Sequence, residues 1–188
     1  MSRIKDAIVG KARANASDPN VPPPPGGRWA NRAKLAMVSF GFLGCSPFAP
    51  GTVGTLGGVL VAWLLASTAN FPIWAAVVCL ALYAITLPLG PWAEKYAGKK
   101  DPGIFVVDEV IGYLITVAWM KGPSPLALAV AFFVFRFFDI VKPPPARQLE
   151  HVGGGHGILL DDVAAGFWGL LVVMIPARLL FPELPWTV

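Results

Sequence analysis

Charge is what this sequence has least of. Only 14% of its 188 residues are Asp, Glu, Lys or Arg, where a soluble domain averages roughly a quarter. So few charged groups cannot build the water-facing surface of an ordinary globule. Cysteine is nearly absent: Cys45 and Cys79 each stand in apolar surroundings. That excludes a disulfide framework or a thiolate metal site and reads both as small buried hydrophobes. The first thirty residues are polar and lack an apolar leader core, so no cleavable signal peptide is expected. The basic residues do not form a stripe interleaved with aromatics on a polar domain. The net charge of +4 and pI near 9.3 therefore do not point to nucleic acid.

Apolar residues are abundant, at 55% of the chain with a mean hydropathy of +0.62. They are gathered in runs of roughly 51–69, 72–90, 103–120, 125–141 and 160–181. A helix that crosses the bilayer needs about 20 such residues. The expected fold is therefore all-α, a polytopic membrane helical bundle of about five spans. Leu35–Phe48, about 14 residues ending at Cys45-Ser46-Pro47, suits a short re-entrant or interfacial segment better than a span. Residues 1–32 contain four consecutive prolines, Pro22–Pro25, and read as a disordered, stiffly extended cytoplasmic tail. Residues 33–188 are expected to form one membrane-embedded domain, which would hold any catalytic site.

Lys and Arg set the orientation. With the N-terminus inside, thirteen of them fall on the cytoplasmic side and only Lys121 and Arg178 opposite, the asymmetry expected of cytoplasmic loops. Acids at the ends of spans are costly and are functional candidates by default. In this topology Asp108 and Glu109 start the third span, Asp139 lies near the end of the fourth, and Asp161 and Asp162 open the fifth. All five converge on the cytoplasmic face.

Five clustered carboxylates need cations. Arg136 and Lys142 are too few to neutralise them all, and hard oxygen donors without a His or Cys set suit Mg2+. Arg136 lies three residues before Asp139, on the same helix face. Lys142 follows at the membrane edge, before Pro143-Pro144-Pro145 ends the helix. Together they make a phosphate clamp, with snorkelling anchors as the alternative. The stretch Pro50-Gly51-Thr52-Val53-Gly54-Thr55 places glycines and helix-start N–H groups on the same side, which suits phosphate. It lacks the Gly-Lys-Ser/Thr ending of a P-loop. Thr52 as a helix cap and Gly54 and Gly58 as packing residues are the plainer readings. Gly112 and Gly166 each sit four residues after an acid. His151 and His156 fall in a glycine-rich loop and are read as incidental to catalysis.

These motifs, in this order, resemble the phosphatidylglycerophosphatase A family of Mg2+-dependent bacterial inner-membrane lipid phosphatases. The resemblance runs through Ser46-Pro47, Pro50–Thr55, Val107–Gly112, Phe135–Pro143, Gly157-Ile158 and Asp161–Gly166, and covers about residues 35–180. It implies hydrolysis of phosphatidylglycerophosphate, drawn from the bilayer, to phosphatidylglycerol and phosphate. The site reading that accompanies it gives Asp108, Glu109 and Asp162 to the metal. Arg136, Lys142, Gly51, Thr52 and Thr55 go to the substrate phosphate, with Asp108, Asp139 and Asp161 as catalytic carboxylates. A phosphatase for another lipid phosphomonoester is the nearest alternative. A divalent-cation transporter or channel is the more distant one, set against by outer span halves of plain Leu, Val, Ala and Trp.

Overall fold

The proline-interrupted apolar runs become helices that alternate in direction around one short central helix. The structure, a computed structural model, describes residues 27–181 and 183. Among these residues it is helical, with no strand: α1 (Arg28–Val38), α2 (Pro50–Leu65), α3 (Phe71–Thr86), α4 (Gly90–Ala97), α5 (Val107–Val117), α6 (Pro125–Val141), α7 (Ala146–Leu149) and α8 (Gly154–Leu180). Pro starts α2 and α6 and follows the first residue of α3, where its missing N–H costs nothing and its fixed φ suits the first turn. The Leu87–Leu89 3-10 turn joins α3 to α4, so 71–97 runs as one long helical segment. That segment and α8 are long and apolar enough to cross a membrane.

Helix α5 differs from the expected third span. Its 11 residues extend about 16 Å, well short of a roughly 30 Å hydrocarbon core. It is buried almost all round, with Ile111, Tyr113, Leu114 and Val117 inside, and packs against α2, α3, α6 and α8. Apolarity on every side of a helix follows as well from burial in protein as from contact with lipid, which is why the sequence overstated this segment. The shell helices carry the lipid-facing signature instead. Leu60 and Leu64 of α2, Ile73 and Leu80 of α3, Phe133 and Ile140 of α6, and Phe167 and Leu179 of α8 all point outward and exposed. Apolar exposure on this scale is rare on water-soluble monomers and marks a surface that meets lipid or a partner.

The α5–α8 crossing sets the depth of the bundle. A Cβ on Gly112 would lie 2.6 Å from the carbonyl oxygen of Asp162, and one on Gly166 would strike the Gly112 carbonyl. Backbone therefore meets backbone here, which only glycine allows. The Thr116 hydroxyl sits 3.1 Å from Gly112 O and 3.2 Å from Gly166 O, bridging the two helices. Gly54 and Gly58 serve α2 the same way, against Val106 and Tyr113.

Two further boundaries are corrected. Residues 28–32, placed by sequence in the tail, begin α1, and the rest of that tail, 1–26, lies outside the described residues. Leu35–Phe48 is not one segment: α1 stops at Val38, Phe40, Gly41 and Phe42 take left-handed backbone, and a 3-10 turn follows at Leu43–Cys45. The reversal is pinned where the Val106 amide donates to Val38 O at 2.9 Å. Phe40 and Leu43 reach Gly57, two turns along α2, so the chain dips beside the bundle and returns. The glycine-rich stretch before the last span is not a loop either, since Gly154–Gly157 forms the first turn of α8. Low helix propensity is overridden there by packing, with Gly155 pressed against the Leu87 carbonyl and against Gly90.

Candidate active site

All five acids stand at one end of the bundle. Asp108 and Glu109 occupy the first turn of α5, where a negative charge complements the helix dipole. The Glu109 amide donates to Asp108 Oδ1 at 3.0 Å. Asp161 and Asp162 lie two turns inside α8, because that helix starts earlier than the sequence suggests. Asp139 is in the last turn of α6 and adjoins Asp162. Asp108, Asp161 and Asp162 are all less than 8% exposed.

The two cations divide this set. Arg136 makes a salt bridge with Asp139, three residues on. Lys142 Nζ lies 2.6 Å from Asp161 Oδ2 and 3.7 Å from Glu150 Oε1. Among the described residues, Asp108, Glu109 and Asp162 are thus the site acids without a salt bridge. They are also the three whose carboxylate oxygens gather within 4.8 Å of one another. Oxygen ligands about 2.1 Å from one small cation are separated by about 3–4 Å, so a small adjustment would let all three share it. Glu109 Oε2 is buried with no hydrogen-bond partner. A buried, unpaired carboxylate oxygen is costly unless a cation or donor meets it. The donor set therefore fits a hard divalent ion.

A cationic corner adjoins the acids. Gly51 is the second residue of α2, and a Cβ there would lie 2.5 Å from Glu109 Oε1 and 3.2 Å from an Arg136 guanidinium nitrogen. The N–H groups at the start of a helix have no intrahelical acceptor and attract anions. Gly51, Thr52 and Arg136 are thus brought together beside the acids. Two of the proposed phosphate ligands are otherwise engaged. Thr55 is fully buried and its hydroxyl donates to Gly51 O at 2.9 Å, which supports the first turn from within. Lys142 ends α6 in left-handed backbone and is held by Asp161 and Glu150. Burial alone would lower its pKa, but the hydrogen bond and charge of Asp161 outweigh that and hold the ammonium above the ordinary lysine range.

Thr52 does not cap α2; the cap position is Ala49, and Thr52 stands inside the first turn. His156 hydrogen-bonds Tyr83 through Nδ1 at 2.8 Å. His151 turns back onto the Arg147 carbonyl. Sequence reasoning missed Glu150 and Asp101, both of which act electrostatically on Lys142. Neither lies in an apolar run or within one helical turn of a site residue, so no local pattern marks them.

The profile of the phosphatidylglycerophosphatase A family matches residues 36–177. A Bacteroides thetaiotaomicron protein, provisionally named a phosphatidylinositol-3-phosphatase, is 36% identical over 150 residues, covering 74% of this chain and 91% of that protein. The phosphatidylglycerophosphatase A of Escherichia coli K12 is 35% identical over 140 residues, 74% of this chain and 80% of its own. That of Haemophilus influenzae is 35% identical over 144 residues, 76% and 87%. No solved structure matches the chain. The matched region begins in α1, ends in α8 and contains every acid and cation of the site. With carboxylates and arginine grouped as a phosphatase requires, the chain belongs to the phosphatidylglycerophosphatase A family.

Proposed function

We propose that this chain is a Mg2+-dependent lipid phosphatase that hydrolyses phosphatidylglycerophosphate to phosphatidylglycerol and inorganic phosphate. The observation that carries the reading is the division of the acids. Arg136 and Lys142 take Asp139 and Asp161, leaving Asp108, Glu109 and Asp162 as an unneutralised cage beside the start of α2. The names of the Escherichia coli and Haemophilus influenzae relatives support the substrate.

Asp108, Glu109 and Asp162 would hold the ion. When bound, Mg2+ would offset the charge that builds on the phosphoryl oxygens. The chain's own groups do the rest. Arg136 has five N–H donors and uses only part of them on Asp139, so it can also grip the phosphate. The first-turn amides of α2 orient the same group. Asp161 presents Oδ1, buried and without a hydrogen-bond partner, while Lys142 holds its other oxygen. That free oxygen orients a water and takes its proton as the water attacks phosphorus. The phosphorus–oxygen bond to the glycerol breaks, and the departing oxygen is protonated from solvent at the aqueous edge.

In this reading the shell helices α2, α3–α4, α6 and α8 cross the bacterial inner membrane, α5 runs part of the way within them, and the N-terminus and the site face the cytoplasm. A cation transporter is disfavoured, because the far half of α5 presents Tyr113, Leu114 and Val117 to its neighbours and the Thr116 hydroxyl is engaged. The Bacteroides relative's name keeps a phosphoinositide substrate as the second reading. The test is phosphate release by purified protein from phosphatidylglycerophosphate, phosphatidic acid and phosphatidylinositol 3-phosphate, with Mg2+ and with excess chelator. The expected result is preference for the first and no turnover in chelator. Full turnover in chelator would sink the cage argument, and preference for the inositide would move the substrate to the second reading.

A further inference from the structure

The lipid-facing side of α8 carries a groove that nothing above uses. Its volume is about 320 Å3, and Pro145, Leu149, Ala164, Phe167, Trp168 and Leu171 are among the residues that line it. Its upper end is Leu160, the residue immediately before Asp161. From Leu160 to Leu171 is eleven residues of α8, about 16 Å of depth along the helix. Its other wall is α7, whose Leu149 precedes Glu150, a partner of Lys142. Trp168 is fixed in place, since its indole N–H donates to Pro144 O at 3.0 Å and its ring stacks on Phe138. The wall is therefore built rather than left open by a mobile side chain.

The geometry points to this groove as the seat of one acyl chain of the lipid substrate. The inference rests on the phosphatase reading, for which it supplies the missing hydrophobic contact. The groove is apolar along its length and opens at the level of the catalytic acids. It runs in the direction a lipid chain takes when its phosphate sits at the membrane edge. Lys142, through its partners Asp161 and Glu150, stands beside Leu160 and Leu149 at its head, which joins the groove to the site, and Phe167 and Leu171 are exposed at its flank, open to entry from the bilayer. An acyl chain seated here would hold the lipid in register, so that the phosphate is presented to the site at a fixed height.

Two measurements test this. In the first, kcat and KM are taken for long-chain and dihexanoyl forms of the same phosphate monoester. Ala164→Trp fills the groove and is expected to raise KM for the long-chain lipid about tenfold, the scale on which apolar pockets discriminate. It should leave kcat on the short-chain ester within about twofold. Phe167→Ala, at an exposed position, should shift KM in the same direction with the fold not at risk. Equal KM values for wild type and both variants would overturn the inference. The second measurement needs no turnover: a phosphatidylglycerol with a diazirine at the chain end is photolysed with the protein in nanodiscs. Adducts concentrated at Phe167 and Leu171, and lost in Ala164→Trp, are the expected outcome. Adducts spread evenly over the apolar faces of α2, α3, α6 and α8 would overturn the groove, even if hydrolysis is confirmed. Absence of phosphate release by the wild type would overturn the phosphatase reading instead, with the cross-linking result still deciding the groove.

Discussion

Gly51 and Glu109 approach so closely that a single added methyl on Gly51 would lie 2.5 Å from Glu109 Oε1. The first turn of α2 is thus fitted against a carboxylate of the metal cage, with Arg136 completing the corner.

Gly51→Ala should therefore act as a site mutation in a helix that would otherwise welcome alanine. Alanine is about 1 kcal/mol better than glycine in a helix interior, so the fold should hold or gain slightly. Relieving the 2.5 Å approach displaces Glu109 Oε1 by close to 1 Å, which should lower kcat on the order of 10²-fold, as misplacements of that size do. Turnover and thermal unfolding are measured on one preparation. A variant with native turnover would show that Glu109 moves aside without consequence.

Asp108→Asn keeps the volume and removes a charge from the cage. Activity should fall on the order of 10³-fold or more if a metal ligand is lost, while the fold persists and is even relieved of some like-charge repulsion. His156→Ala should retain most activity, because its ring is engaged by Tyr83 and not by the acids. Losing that partly exposed hydrogen bond should cost about 1 kcal/mol of stability at most. An active Asp108→Asn beside a dead, folded His156→Ala would demand a histidine mechanism.

Lys142→Met and Glu150→Gln separate the two arms of the Lys142 bridge. Removing the ammonium leaves Asp161 buried and unpaired, and breaking a buried pair from one side costs about 3–5 kcal/mol. The Glu150 contact is longer, at 3.7 Å, and its carboxylate is 42% exposed, so Glu150→Gln should cost less than about 1 kcal/mol. Denaturant midpoints in mild detergent give the comparison. Equal, small effects would mean that water already reaches Asp161.

Orientation has its own test. In a background without Cys45 and Cys79, a cysteine at Lys99 should be shielded from an impermeant thiol reagent in intact cells, and one at Pro123 should be labelled. The thirteen-to-two division of Lys and Arg motivates this. The opposite pattern would place the acids on the outer face.

Much of the site was legible because its physics is written in residue type. A carboxylate in an apolar run has few reasons to exist, and the charge bias says which end it occupies. The sequence alone therefore assigns Asp108, Glu109 and Asp162 to a metal, and the fold brings those three together. Helix limits were less legible. Hydropathy reports that a residue avoids water, not whether protein or lipid surrounds it, so α5 looked like a span. The glycines of Gly154–Gly157 hid a helical turn, because their partner at Leu87–Gly90 is distant in sequence. For Lys142 and Thr55 the sequence shows a donor but not the acceptor it meets in the fold, Asp161 in one case and Gly51 O in the other.

The shortness of α5 bears on how the protein is made. A helix about 16 Å long, headed by two carboxylates, is a poor candidate for entering a bilayer alone. Lipid cannot satisfy the backbone groups of the irregular chain at its ends. The neighbouring Trp119 and Met120 are nonetheless buried, so protein must cover them. For a membrane-embedded bundle the expected order of biogenesis is that α2 and α3 insert before α6 and α8, with α5 taking its place only as the shell closes. The carboxylates of α5 meet those of α8 at that last step, and a half-inserted chain carries no assembled catalytic centre.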